Sequence, residues 1–345
     1  MDIKQYLADI TAIPGPSGHE RLVAEKMRNL FIPLTDEVKI DPMYNVIAHK
    51  KGSGPKIMLA AHIDEIALMV VAIEADGCIR FGQIGGVDTR ILPGMRVTVY
   101  GTEPLIGVIG AKPPHLLTNE EREKNYERDD LYIDIGFNAE TERDKVRIGD
   151  IITFISPLTE LKNNRVACKS MDDRACAGIL LEAAERLLNM KTEADIYFVL
   201  TTQEEVGALG ASGAAFDIAP DLAVGLDVCH AALPDSRPDT TAELDSLCST
   251  VGPYIQPKLR KRLIDCAAEH HICIQTNVSS SDTATDCDEM QISRSGVPTI
   301  LLSLPLKYMH TSVELIDVGV VKEGGRLIAH FLSELKPGWE EDLWI

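Results

Sequence analysis

The amino-acid sequence predicts an α/β domain interrupted by a smaller β domain, on three observations. Short apolar runs bounded by turn residues, Val46-Ile47-Ala48 and Ile57 to Ala61, read as buried strands. From Asp172 onward such runs alternate with stretches of helical spacing, the pattern of a sheet with helices on both faces. Between about residues 68 and 157 that texture stops, and short β-rich runs separated by Gly, Pro and charged residues replace it.

The elements follow in order. Lys4 to Ala12 and Glu20 to Leu30 carry the apolar spacing of amphipathic helices, and Pro14-Gly15-Pro16-Ser17-Gly18 punctuates them as a loop. The central β-rich runs are Met69 to Ile73, Arg96 to Tyr100, Ile106 to Ile109 and Ile151 to Ile155, with the charged stretch Thr118 to Asp130 among them. Helices are then expected over Ala175 to Leu188, Ala208 to Ala215, Lys258 to Glu269 and Val318 to Leu335. Strands are expected over Ile196 to Leu200, Leu222 to Leu226 and Pro298 to Leu304. The expected division is a discontinuous α/β domain, residues 1–67 and 158–345, with residues 68–157 inserted.

Composition bounds the function. With 345 residues the chain is one large domain or two of ordinary size, and 45% hydrophobic with 25% charged residues is globular. A formal net charge of -19 argues against nucleic acid and anionic membrane surfaces as partners. No uninterrupted apolar run of about 18 residues predicts a spanning helix, and the N-terminal residues lack the pattern of a signal peptide. The eight cysteines form no CxxC pair, so free thiols in a reducing, cytoplasmic setting are expected.

The chemistry lies where acids and histidines meet strand ends. His62-Ile63-Asp64-Glu65 follows one apolar run, Gln203-Glu204-Glu205 a second, Asp227 closes a third, and His310 lies in the loop after a fourth. Open α/β sheets bind ligands beyond the carboxyl ends of their strands. Asp172-Asp173 adds carboxylates just before a helix. Taken singly, each residue has an ordinary explanation. Asp172 or Asp173 serves as an N-cap, Glu204 and Glu205 as first-turn charges, and His62 or His310 as a loop histidine. His230 and the His270-His271 pair read as ordinary surface histidines, and His115 as part of a loop in the inserted domain.

Together, two histidines and three carboxylates suit a divalent zinc, cobalt or manganese ion. A carboxylate can bridge two such ions about 3.5–4 Å apart, with an ionised water between them. A further carboxylate that binds no metal must then move the proton. Adjacent Glu204 and Glu205 can divide the ligand and base tasks, and Asp64 can orient the His62 imidazole. No GxSxG elbow, P-loop or GxGxxG occurs, and a carboxylate pair for glycosidase work is nonspecific in so acidic a chain.

These residues, in this order, resemble metallopeptidase family 42, the glutamyl and deblocking aminopeptidases that include the tetrahedral (TET) aminopeptidases. The resemblance runs nearly end to end, through Pro14 to Gly18, His62 to Ile66, Ile84-Gly85-Gly86-Val87-Asp88, Gly107 to Pro113 and Asp130 to Gly136. It continues through Asp172 to Ala175, Gln203 to Gly207 and Tyr308-Met309-His310-Thr311. It implies a mixed-sheet α/β/α co-catalytic peptidase domain and an inserted, β-barrel-like dimerisation domain. It further implies Asp172 as the bridge between two divalent ions, zinc foremost. His62 and Asp227 complete one metal site, Glu205 and His310 the other. Glu204 falls on the general base and Asp64 on the aspartate behind the metal ligands.

The implied activity is removal of N-terminal residues from peptides with a free amine, by dimers that assemble into a tetrahedral dodecamer. A related deacylase or carboxypeptidase, or an endoglucanase-type glycan hydrolase, is the alternative. The sequence departs from the family pattern at Ala67, at Thr250 to Tyr254 and in Thr285-Asp286-Cys287-Asp288, which keeps the family's Thr-Asp but not the small residues after it, and these departures bear on the substrate pocket. Lys307 falls where the family often has a basic residue, either a substrate contact or a loop charge.

Overall fold

The structure, a computed structural model, describes residues 1–136, 144–237, 240–339 and 343. The chain opens with α1 (Ile3–Thr11), whose N-cap Asp2 accepts from the amides of Lys4 and Gln5. Then comes α2 (Arg21–Phe31), which buries Val23, Ala24, Met27 and Phe31, the one-face spacing of an amphipathic helix. Strands β1 (Glu37–Ile40), β2 (Val46–Lys50) and β3 (Lys56–His62) follow.

The next strands are β4 (Ala67–Ile73), β5 (Ile79–Ile84), β6 (Arg96–Tyr100), β7 (Pro104–Ala111), β8 (Leu131–Asp134) and β9 (Ile151–Phe154). They close into a barrel in the order β4-β5-β8-β7-β6-β9, with antiparallel neighbours throughout. A register shift between Val70 and Ala72 marks a bulge in β4, a device that bends a strand toward closure. Within the charged stretch that the sequence left without an assigned element lies a short helix, α3 (Asn119–Arg122), capped reciprocally by Thr118 and Glu121.

The remaining elements are β10 (Thr159–Glu160), β11 (Arg165–Cys168), α4 (Met171–Leu187), β12 (Asp195–Thr201), α5 (Leu209–Ile218), β13 (Leu222–His230) and β14 (Leu247–Val251). They end with α6 (Pro257–Glu269), β15 (Ile274–Val278), α7 (Asp286–Gln291), β16 (Thr299–Leu306), β17 (Glu314–Asp317) and α8 (Val318–Glu334). Eight strands form one mixed sheet, β1-β2-β12-β3-β13-β16-β14-β15, whose centre from β12 to β16 is parallel. β3 lies between β12 and β13 and is buried from Ile57 to His62, which is why its sequence is a continuous apolar run. β10, β11 and β17 make a separate three-stranded sheet.

The chain forms two compact units. The first comprises Met1–Asp64, Pro157–Met309 and Val313–Ile345, the second Glu65–Ser156 with His310–Ser312.

Two features of these elements bear on the site, and the first departs from the sequence reading. Asp227 does not close its strand, because β13 continues to His230. Its pairing with β3 ends at Gly225–Ala60, but its pairing with β16 runs on to His230–Leu306. In α4 the residues Asp172 and Asp173 are non-helical, so the regular turns begin after them.

Candidate metal centre and active site

His62 is the last residue of β3, and the Ile63 amide extends the ladder by donating to the Thr201 carbonyl of β12. Its Nε2 lies 3.0 Å from Asp172 Oδ1 and 3.8 Å from Glu204 Oε2, and its Nδ1 lies 3.4 Å from Asp64 Oδ1. The ligand atoms of His62, Asp172 and Glu205 lie within 4.8 Å of one another, and so do those of His62, Asp173 and Asp227. The two groups share His62. Four of the five sequence-predicted ligands are therefore brought together within the first unit.

The Glu204-Glu205 turn is held from behind. Asp64, fully buried, accepts from Ser17 Oγ at 2.6 Å, from the Glu204 amide at 3.1 Å and from the Glu205 amide at 3.3 Å. Glu20 accepts from the Gly18 amide at 2.7 Å and the Gln203 amide at 3.2 Å. Two buried carboxylates thus receive three successive backbone N–H groups, a concave arrangement that suits anions. Gln203 has φ +57°, which starts the turn. Just before it, Asn45 accepts from the Thr202 amide and donates to the Gly210 carbonyl, both at 3.0 Å. A Cβ at Gly210 would come within 2.4 Å of Asn45 Oδ1 and Thr202 O, so this approach requires glycine. Arg174, fully buried, donates to the carbonyls of Ile63, Ile10 and Ile13, tying the residue after His62 to the end of α1.

The electrostatics are those of crowded buried acids. Burial raises the Glu204 carboxyl to about 8, opposed by His62 and reinforced by Asp286, Asp172 and Glu205. Asp173 and Asp227 are pushed well above the usual range, by burial first. For Asp227, repulsion from Asp173 and Glu204 adds to this. Burial alone would depress His62, but hydrogen bonds to Asp172 and Asp64 override it and raise the imidazole. Asp64 is lowered although burial opposes this, because His62, Ser17 and the Glu204 amide bond its charged form.

His62 is the basic group that opposes Asp173, Glu204, Asp227 and Asp286 alike. Both Asp173 oxygens are buried without a hydrogen-bond partner among the described residues. His62 thus faces several buried carboxylates, with Lys169 and Arg174 also buried around the start of α4, and a pair of divalent cations on these nitrogen and oxygen donors would add to the positive charge that offsets the acids. The residues fit such a metal pair.

His310 belongs to the second unit, with φ +59° and its Nδ1 2.9 Å from the Gly86 carbonyl. A hydrogen bond donated there from Nδ1 sets the tautomer in which Nε2 carries the lone pair. A Cβ at Gly86 would stand 2.7 Å from His310 Nδ1, so the glycine at this position makes room for the ring. Lys307 forms an antiparallel bridge with Leu315 through its backbone.

Sequence reasoning missed four contributors. Glu20 reads as the start of a helix, and Ser17 only as loop punctuation before Gly18. Asp173 was left as a neighbour of Asp172. Asp286 reads only as part of the Thr-Asp pair that matches the family pattern, with no role assigned to it. It is buried, accepts from Thr201 Oγ1 and is raised by burial to about 6.

The family model for M42 glutamyl aminopeptidases matches residues 44–327. The chain belongs to this family. A lysyl aminopeptidase of Pyrococcus furiosus is 38% identical over 96% of this chain and 97% of its own length. Among solved structures, a TET aminopeptidase from a marine sediment archaeon of the Thaumarchaeota superposes with a TM-score of 0.94. It is 29% identical and covers 99% of this chain and 98% of its own. A Pyrococcus horikoshii TET1 peptidase, described as assembling into a tetrahedron or a large octahedral shell, gives 0.85. It too is 29% identical, over 97% of this chain and all of its own. The mixed sheet and six-stranded barrel are the M42 fold, and the M42 chain is a peptidase. None of its described helices is long and apolar enough to cross a membrane.

Proposed function

We propose that this M42 chain is an aminopeptidase that removes N-terminal residues from peptides, with a divalent metal pair held by His62, Asp172, Glu205, Asp227 and His310 and with Glu204 as general base. One observation carries the reading: His62 is shared by two donor clusters set among buried carboxylates. Asp172 Oδ1, 3.0 Å from His62 and grouped with Glu205, supports the bridging role. His310 keeps its ligand role on the family pattern alone. Bound ions, zinc foremost and cobalt or manganese as substitutes, would polarise the scissile carbonyl and acidify the attacking water.

The protein groups do the rest. Glu204 takes a proton from the water as its oxygen adds to the carbonyl carbon, and returns it to the nitrogen as the C–N bond breaks. Asp64 fixes the His62 ring and, with Glu20, the Glu204-Glu205 backbone. The positively charged α-amine of a peptide suits a rim lined with acids, which restricts cleavage to the first residue.

Chelation should abolish hydrolysis of free-amine peptides, and added zinc, cobalt or manganese should restore it. Peptides with acylated N-termini should resist cleavage. Release of acyl groups or of C-terminal residues would turn the reading to a deacylase or carboxypeptidase, and chelator-resistant glycan hydrolysis to a glycosidase.

We further propose that the barrel unit serves self-association into a homo-oligomer, a tetrahedral dodecamer in the largest form. Ile106 and Val108, two apart on β7, expose apolar side chains on the same side of the strand. The double substitution of both by Lys should shrink the particle seen by light scattering. A wild-type particle of monomer mass would refute this part.

A further inference from the structure

We propose a second metal site on the first unit, in which Cys266 and His270 at the end of α6 and Glu334 at the end of α8 bind one zinc ion. The two helices pack together, and each contributes ligand-type residues one helical turn apart: Cys266 and His270 from one, His330 and Glu334 from the other. The donors converge on one oxygen. Glu334 Oε1 is 3.6 Å from Cys266 Sγ and 3.1 Å from His270 Nε2, and the three ligand atoms lie within 4.8 Å of one another.

The spacing is what zinc would ask for. With bonds of about 2.3 Å to sulfur and about 2.0 Å to nitrogen and oxygen, tetrahedral donors stand roughly 3.3 Å (N to O) and 3.5 Å (S to O) apart. The separations present are close to these without movement of either helix.

The surroundings hold the ligands in place. The His270 ring stacks on His330 with centroids 3.5 Å apart and planes 15° from parallel. Arg326 donates to the His270 carbonyl at 2.8 Å, and pairs its guanidinium with Glu323, which offsets its charge toward an incoming cation. Cys266 is buried while Glu334 is exposed, so solvent reaches the site from the carboxylate side. A thiolate, an imidazole and a carboxylate favour zinc over magnesium or calcium, which take oxygen ligands. Binding replaces the hydrogen bonds to Glu334 with metal bonds, releases the Cys266 thiol proton to solvent and leaves the His270 ring proton on Nδ1, so that Nε2 offers its lone pair. The ion would clip the end of α6 to the end of α8. The proposal does not depend on the proposed function, because no residue is shared with the strand-end site.

The test uses the full chain stripped of metal by chelation and titrated with cobalt. The ligands proposed at the strand ends are nitrogen and oxygen donors, so a thiolate-to-cobalt charge-transfer band reports on the helix site alone. Wild type should develop this band with one cobalt per chain, and Cys266→Ser should lose the band and one bound equivalent. Glu334→Gln, a milder change that keeps the fold, should weaken the band-forming affinity about tenfold or more. Peptidase turnover of both variants at saturating metal should stay within about twofold of wild type. A wild type without the band, or a band that survives in Cys266→Ser, overturns the site.

Discussion

The barrel and the ends of the central strands of the large sheet bury different kinds of side chain. Along the barrel strands, buried residues alternate with exposed ones, and Leu68, Val70, Phe81, Val97, Val99, Ile133 and Ile152 fill the interior. Thr153 is the buried polar residue on those strands, and ion pairs such as Arg80–Glu74 and Lys145–Glu103 stay outside. At the ends of β3 and β12 and beside α4 the pattern inverts. His62, Asp64, Asp172, Asp173, Asp227 and Asp286 are all buried. Apolar burial stabilises a fold at about 25 cal/mol per Å², whereas buried carboxylates cost stability unless something neutralises them. The barrel interior is thus explained by folding alone, and the strand ends are not.

The strongest way to break that contrast is Glu204→Gln. If the acids at these strand ends serve catalysis, turnover should fall about 10²- to 10⁴-fold, measured as kcat on a free-amine peptide. Thermal stability should hold or rise, since a carboxylate repelled by Asp286, Asp172 and Glu205 becomes neutral. Bound metal, counted by elemental analysis, should be unchanged, because the base is not a ligand. Near-wild-type turnover with full metal content would remove Glu204 from the chemistry.

The converse change is Ile133→Ala in the barrel. Ile133 is fully buried and paired with Ile79 and Ile109, so truncation should cost about 2–5 kcal/mol, read from denaturant unfolding. The kcat of the chain that remains folded should stay within about twofold. A loss of kcat comparable to that of Glu204→Gln would show that the two regions are not separable in function.

The same contrast explains what could be read from the sequence. The barrel strands and the run Ile57 to Ala61 were legible because apolar periodicity is local. His62, Asp172, Glu205 and Asp227 were legible because strand ends converge and because their motifs stand in the family order. The supporting groups were not. Ser17 and Glu20 act on residues 47 and 183 positions away, and a Ser beside a glycine or a Glu ahead of an amphipathic stretch looks like any loop or helix start. Asp286 meets Thr201 across 85 positions, and nothing local distinguishes it from the acids around it. The extension of β13 past Asp227 was hidden because it depends on pairing with β16, a long-range fact.

Glu20 offers the smallest effect and the finest test of that hidden support. Its Oε1 holds the Gly18 and Gln203 amides, while its Oε2 is buried with no hydrogen-bond partner among the described residues. Burial raises the carboxyl from 4.5 to about 7, the two amides pull it back, and Asp64 adds repulsion. A carboxyl raised on folding holds its proton more tightly in the folded chain than in the unfolded one. Its contribution is therefore complete below about pH 4.5 and is lost as pH rises through about 7. Glu20→Gln keeps an amide oxygen for the two N–H groups but has nothing to titrate. The variant should gain on wild type between pH 5 and pH 8 by on the order of 1–2 kcal/mol, read as the difference of the two unfolding curves on metal-loaded protein. Turnover should change by less than about threefold, because the turn remains held. Parallel stability profiles for the two proteins would mean that Glu20 is already ionised in the folded chain, and that the amides of Gly18 and Gln203 outweigh its burial.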